Sequence, residues 1–169
     1  MIKRQKGFSL IELLIVVAII LIIAAIAIPN LMRSKMAANE SSAASMTRTL
    51  FTGATTYSTT YGNGYPDALS FLGPPSAGNA NCTTAGLIDS VLANGAKSGY
   101  SFVLTGDGAN AAPAGGCQGS IGFFAGGTPQ KVGTTGTRSF CVANDGVIYA
   151  SLAAAAPANP CPGSPLDTK

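Results

Sequence analysis

Hydropathy divides this chain into two unlike parts. Leu13 to Ile28 are sixteen consecutive apolar residues, preceded by Phe8, Leu10 and Ile11 and interrupted near the start by Ser9 and Glu12. From Phe8 the segment has 21 residues. As an α-helix rising about 1.5 Å per residue it is about 31 Å long, which matches the hydrocarbon core of a bilayer. Past Pro29 the pattern becomes one-sided. Met32, Met36, Ala43, Met46, Leu50, Ala54, Tyr57 and Tyr61 recur at spacings of 3, 4 or 7. They predict a helical stripe facing a core, with Arg33, Lys35, Glu40 and Arg48 off it. Thr55, Thr56, Thr59 and Thr60 weaken helix propensity, and Gly62 and Gly64 end the helix.

Residues 62–83 are punctuated by Gly62, Gly64, Pro66, Gly73, Pro74, Pro75 and Gly78. They read as a loop with one apolar turn, Leu69 to Leu72. Thr84 is placed to cap a short helix through Ala93, with Leu87, Ile88, Val91 and Leu92 on one face and Gly95 as its stop. Tyr100 to Leu104, Ser120 to Ala125, Arg138 to Val142 and Val147 to Ser151 are short apolar runs between Gly-rich turns and predict strands. Asp145-Gly146 predicts a two-residue hairpin. The Ala/Pro-rich tail from Ala153 reads as irregular. A helix followed by a run of strands gives an α+β class with a small antiparallel sheet. The expected domains are a leader (1–7), a long N-terminal helix (8–61, with 8–28 in the membrane) and a globular head (62–169).

Composition narrows the chemistry. A length of 169 residues permits one ordinary domain. The formal charge is +3, but Lys3, Arg4 and Lys6 all precede Gly7. From Ser41 onward Arg48, Lys97, Lys131, Arg138 and Lys169 balance Asp67, Asp89, Asp107, Asp145 and Asp167. The basic pI is therefore no nucleic-acid signal, and no nucleic-acid partner is expected. Histidine is absent, which removes the commonest general base and a frequent metal ligand. No G-x-S-x-G, P-loop or paired-carboxylate pattern occurs. Neither catalysis nor a cofactor or metal is expected. Asp107 and Asp145, each followed by glycine, read as turn residues rather than calcium ligands. Asn39-Glu40-Ser41 and Asn81-Cys82-Thr83 fit the N-x-S/T pattern, which also arises by chance. The four cysteines Cys82, Cys117, Cys141 and Cys161 all follow the membrane segment. In an exported chain they read as two disulfides, with three connectivities open. No C-x-x-C spacing favours zinc.

The order of features at the N-terminus is the informative part. A basic leader, then Gly7, the aromatic Phe8, Glu12 five residues past the glycine, an apolar run and finally Pro29 follow one another. A conventional secretory signal ends its apolar core at a small-residue cleavage site. Here the glycine lies at the opposite edge. Ala25-Ile26-Ala27 does form an A-x-A pattern, but cutting there leaves Glu12 inside the apolar core and puts Pro29 beside the cut. A plain signal anchor accounts for neither Gly7-Phe8 nor Glu12.

The segment Gly7 to Glu12 resembles the prepilin signature of type IV pilins and the related pseudopilins of type II secretion. The resemblance is sharpest over about residues 1–30. It implies cleavage after Gly7 by a prepilin peptidase and N-methylation of Phe8. It implies a pilin-like fold, the long helix packed on the antiparallel head. It also implies slack in the helix just before Pro29, around Ala24 to Ile28, and a Cys141–Cys161 bond closing the C-terminal region, with Cys82–Cys117 beside it. A precursor of this family waits in the inner membrane, then polymerises through an assembly platform into a homo-oligomeric filament for adhesion, motility or DNA uptake. A secretion pseudopilin is the rival within the family, and a monomeric membrane-anchored binding domain is the rival outside it. Glu12 carries the physical argument. A charge at a helix centre costs about 3 kcal/mol to insert into a membrane, less near an end. In a filament core its natural partner is the Phe8 amine of a neighbouring subunit, because either charge buried alone is expensive.

Overall fold

In the computed structural model, which describes residues 8–109, 119–152 and 155–166, the chain forms two units, Met1–Lys35 and Met36–Lys169. One helix, α1, covers Leu10–Tyr61. The short α2 covers Ser90–Ala93, and a 3-10 turn covers Leu69–Leu72. Six strands follow: β1 (Ala96–Lys97), β2 (Tyr100–Ala109), β3 (Ser120–Pro129), β4 (Arg138–Ala143), β5 (Ile148–Leu152) and β6 (Ser164–Pro165). They pair in chain order, every pair antiparallel. The α+β class is as expected.

The core of the second unit lies between the Met36–Tyr61 half of α1 and one face of the sheet. Leu50, Ala54 and Tyr57 meet Tyr100, Phe102, Leu104, Phe123, Phe140 and Val142, all buried. Alternation in β2 produces this directly. Tyr100, Phe102 and Leu104 point in, and Ser101, Val103 and Thr105 point out. Facing Phe102 in register is Gly127. A Cβ there would lie 2.6 Å from the Phe102 ring, so glycine lets the aromatic side chain lie across β3.

The buried positions of α1 are Glu40, Ala43, Thr47, Leu50, Gly53, Ala54 and Tyr57. Setting Gly53 aside, they follow a 3-4 rhythm, the seam of a helix on one partner surface. Glu40 is on this seam, which corrects the expectation that it lies off the stripe. It is only 8% exposed, and its carboxylate takes four hydrogen bonds from the start of β4. Thr137 donates through its backbone N–H and its hydroxyl, each at 2.7 Å, and Arg138 through its backbone N–H at 3.2 Å and its Nε at 2.8 Å. Beside it Asn39 Nδ2 donates to the Thr135 carbonyl at 2.9 Å. The Tyr100 hydroxyl donates to the Arg138 carbonyl at 2.8 Å, and burial pushes that phenol up to about 12, so it remains a donor. Burial also pushes the Glu40 carboxyl up. The Thr137 and Arg138 hydrogen bonds and the Arg138 charge outweigh it, and the net shift is below the usual carboxylate value.

Several local expectations are corrected. Thr84 does not cap a helix. Gly86 has a φ of +68°, which breaks any helical run there. Asp89 is the cap, accepting from the Val91 and Leu92 N–H groups, and α2 starts only at Ser90. Thr84 and Thr83 instead turn around Asn81, whose Oδ1 accepts from both. The strands β2 and β3 run five and four residues further than the apolar runs suggested. The β4–β5 connection is longer than a two-residue hairpin, since Val142 pairs with Ile148. Asp145 shapes it by accepting from Val147 N–H. The two-residue hairpin is elsewhere: Ser98-Gly99 joins β1 to β2, with φ of +50° and +73°, the mirror-image turn that hairpins favour. Asp107 lies within β2, not in a turn, and accepts from Asn159 Nδ2 at 2.5 Å.

The tail is less irregular than its composition implies. Ser164–Pro165 adds an edge strand to β5. Cys141 on β4 is bonded to Cys161, with 5.6 Å between their Cα atoms. Cys82 is also disulfide-bonded, and Cys117, expected as its partner, lies outside the described residues.

Two stability predictions follow from this packing. Glu40→Ala should cost about 2–3 kcal/mol, because the Thr137 and Arg138 backbone N–H groups and the Arg138 guanidinium lose their charged acceptor. Glu40→Gln should cost less. Because the Glu40 carboxyl is lowered on folding, its contribution is present above its unfolded value, 4.5, and is lost as pH falls through the folded one. Urea midpoints of the detergent-solubilised chain from pH 7 to 3 should therefore fall more steeply for wild type than for Glu40→Gln. Cys161→Ser opens a loop with a sequence separation of 20, and the same assay at pH 7 should show a loss of about 3 kcal/mol.

Candidate functional site

The N-terminal unit is described from Phe8. Gly7 and the leader lie outside the described residues. Leu10 to Lys35 are helical without a break, and the helix contains an 18-residue window of mean hydropathy 3.3. No residue of that window is buried. The large apolar side chains from Phe8 to Met32 are exposed on every side, from 46% at Val17 to 81% at Phe8. A helix apolar all round needs an apolar surrounding: lipid or other helices.

Pro29 lies inside this helix, and Ala24 to Ile28 are helical. The slack expected there is not seen in the single chain. A proline removes one N–H donor and crowds the carbonyl four residues back; here the helix continues across that missing bond.

Glu12 sits in the first turn. Its Oε2 accepts from the backbone N–H of Ser9 at 3.0 Å. Ser9 and Glu12 are spaced as a capping box, in which a carboxylate three residues into the helix reaches back to the residue that starts it. This local role went unread in the sequence, although S-x-x-E is its signal. The carboxylate is thereby held at the positive end of the helix dipole and turned toward the backbone that joins Phe8 to Ser9. Ser9 N–H is its one hydrogen-bond donor among the described residues. An ionised carboxylate has about four acceptor sites, so the described residues leave most of its capacity unused.

A family model described as the prokaryotic N-terminal methylation motif matches residues 2–28, which takes in Gly7, Phe8 and Glu12. The segment resembles that of type IV pilins. The relatives agree. The chain is 58% identical over 38 residues to the type IV wide pilus major component PilA4 of Thermus thermophilus, a match covering 22% of this chain and 29% of that protein. It is 51% identical over 49 residues to the type IV major pilin protein PilA of Myxococcus xanthus, covering 29% of this chain and 22% of that one. The chain thus spans less than a third of the length of these curated relatives. No solved structure matches. The pilin likeness therefore rests on the N-terminal segment, and the six-stranded head stands on its own architecture.

Among the described residues no group of three or more Cys, Asp or Glu side chains is placed to hold a metal ion. Asp145 accepts from the Tyr149 hydroxyl at 2.9 Å, and that bond raises the phenol above its ordinary value.

The Ser9–Glu12 contact yields a direct check. In micelles the Ser9 amide proton should exchange with solvent deuterium faster in Glu12→Ala than in wild type, because it loses its acceptor.

Proposed function

We propose that this chain is the precursor of a structural subunit of a type IV pilus-like filament. The observation that carries the reading is the methylation motif over residues 2–28 lying on a helix that is apolar on all sides and uncovered by its own chain. A prepilin peptidase cuts after Gly7 and methylates the new amine at Phe8. The mature helix holds the subunit in the inner membrane, with the head exported, where the Cys141–Cys161 bond can persist. Subunits then leave the bilayer through an assembly platform and pack their helices into a filament core, heads outward.

Within that core Glu12 receives the Phe8 ammonium of a neighbouring subunit. The free acceptor sites of its carboxylate and its position at the helix start support this role. The pair removes two uncompensated charges from an apolar bundle and sets the axial register. Pro29 supplies the point at which the helix loosens when neighbours take up the freed carbonyl. The extended fibre serves adhesion, surface motility or DNA uptake. Relatives whose names are those of major pilus components support a pilus rather than a secretion pseudopilus.

Intact-mass measurement on the protein purified from shed surface fibres tests the processing step. The expected chain starts at N-methyl-Phe8. A chain that starts at Ile28, or retains residues 1–7, contradicts the proposal.

A further inference from the structure

A groove of about 290 Å³ runs along the outer face of α1 within the second unit. Ser45, Arg48, Thr49, Thr52 and Thr56 line it from the helix, and Leu87 forms the opposite wall. Gly53 also lines it, and a Cβ there would make ordinary van der Waals contact with Ile88 and Leu72 at 3.4 Å. Its size is at the small end of ligand pockets, about 300–1,000 Å³.

The lining has a definite chemistry. Arg48 is the one charged residue in it. The ion pairs among the described residues are Lys97–Asp89 and Arg138–Glu40, so the Arg48 guanidinium is in none of them. The threonine hydroxyls beside it have spent their protons. Thr49 Oγ1 donates to the Ser45 carbonyl and Thr52 Oγ1 to the Arg48 carbonyl, both at 3.1 Å. What they turn outward is lone pairs. The groove therefore presents one fork of cationic donors beside a row of acceptors, with Leu87 and the threonine methyls as apolar floor.

We infer that this groove binds an acidic saccharide, one carrying a carboxylate beside several hydroxyls, as a uronic acid does. The carboxylate meets the Arg48 fork in the bidentate geometry arginine favours. The sugar hydroxyls donate to Thr49 and Thr52, and the C–H face of the ring lies on Leu87. A bare phosphate or a nucleic-acid backbone fits less well. Each is chiefly an acceptor, and it would set its oxygens against the threonine lone pairs. The inference does not require assembly, since the groove belongs to a single head.

The test uses the full chain in detergent micelles with fluorescently labelled hexagalacturonate, against a neutral galactose oligomer of the same length. Wild type should bind the acidic hexamer and not the neutral one. Arg48→Gln should weaken binding at least about tenfold, the size of a lost charge-assisted hydrogen bond. Thr52→Val, which keeps shape and removes the acceptor, should weaken it by a smaller factor, about threefold or more. Lys131→Gln, an exposed cation elsewhere on the head, should bind as wild type does. Failure of wild type to bind overturns the inference, as does unchanged binding by Arg48→Gln or an equal loss in Lys131→Gln. Should micellar chain fail to bind while Arg48 becomes shielded from an arginine reagent on fibre assembly, the groove is a contact between copies.

Discussion

An apolar helix surface with no cover of its own is the constraint from which the functional account descends. Burying one Leu, Ile or Val side chain is worth about 1.5–3 kcal/mol relative to leaving it in water. The N-terminal helix exposes such residues around its whole circumference from Leu10 to Leu31. The head forms its own core with the later half of α1. Such a surface calls for an apolar surrounding, lipid or other helices. A subunit stored in a membrane and later moved into a helical bundle satisfies the same surface twice, by exchanging one apolar environment for another.

Two glutamates on the same helix show how differently a carboxylate can be used. Glu40 is saturated by its own chain, with four donors from Thr137 and Arg138. It clamps the helix to the start of β4 and is buried there. Glu12 has Ser9 N–H alone among the described residues. The first is a structural carboxylate, costly to remove for stability. The second is locally anchored and still open to a further donor. That contrast separates the structural role of Glu40 from the assembly role proposed for Glu12, and sequence position alone does not reveal it.

How much was legible follows from the kinds of signal involved. The N-terminal segment combines unlike requirements in a fixed order, so Gly7, Phe8 and Glu12 stand out without any fold. The strand cores were legible because Tyr100, Phe102 and Leu104 alternate with Ser101, Val103 and Thr105. Glu40 was missed because a search for an apolar stripe steps over a polar residue, even one that keeps the helical rhythm. Met46 does pack, half-buried, against the core, but the stripe passes over Thr47, fully buried with its hydroxyl bonded to the Ala43 carbonyl. The cap at Thr84 failed because Gly86 adopts a positive φ, a backbone state set by the loop's packing against Leu72 and Gly73. The edge strand at Ser164–Pro165 follows the disulfide and the Leu166-to-Ile148 hydrogen bond, long-range restraints that tail composition does not encode.

The central claim is that the spare capacity of Glu12 is used by another subunit's amine, not merely by the Ser9 cap. The most direct measurement is sheared-fibre yield relative to the membrane pool for wild type, Glu12→Asp, Glu12→Gln and Glu12→Ala. If the carboxylate receives a neighbouring ammonium, all four chains populate the membrane equally. Fibre yield then falls in that order, with Glu12→Gln close to Glu12→Ala, because the charge is what the buried amine requires. Normal fibre yield from Glu12→Ala, with a normal membrane pool, contradicts the account. It would leave Glu12 as a helix cap and the filament core held by apolar contact alone.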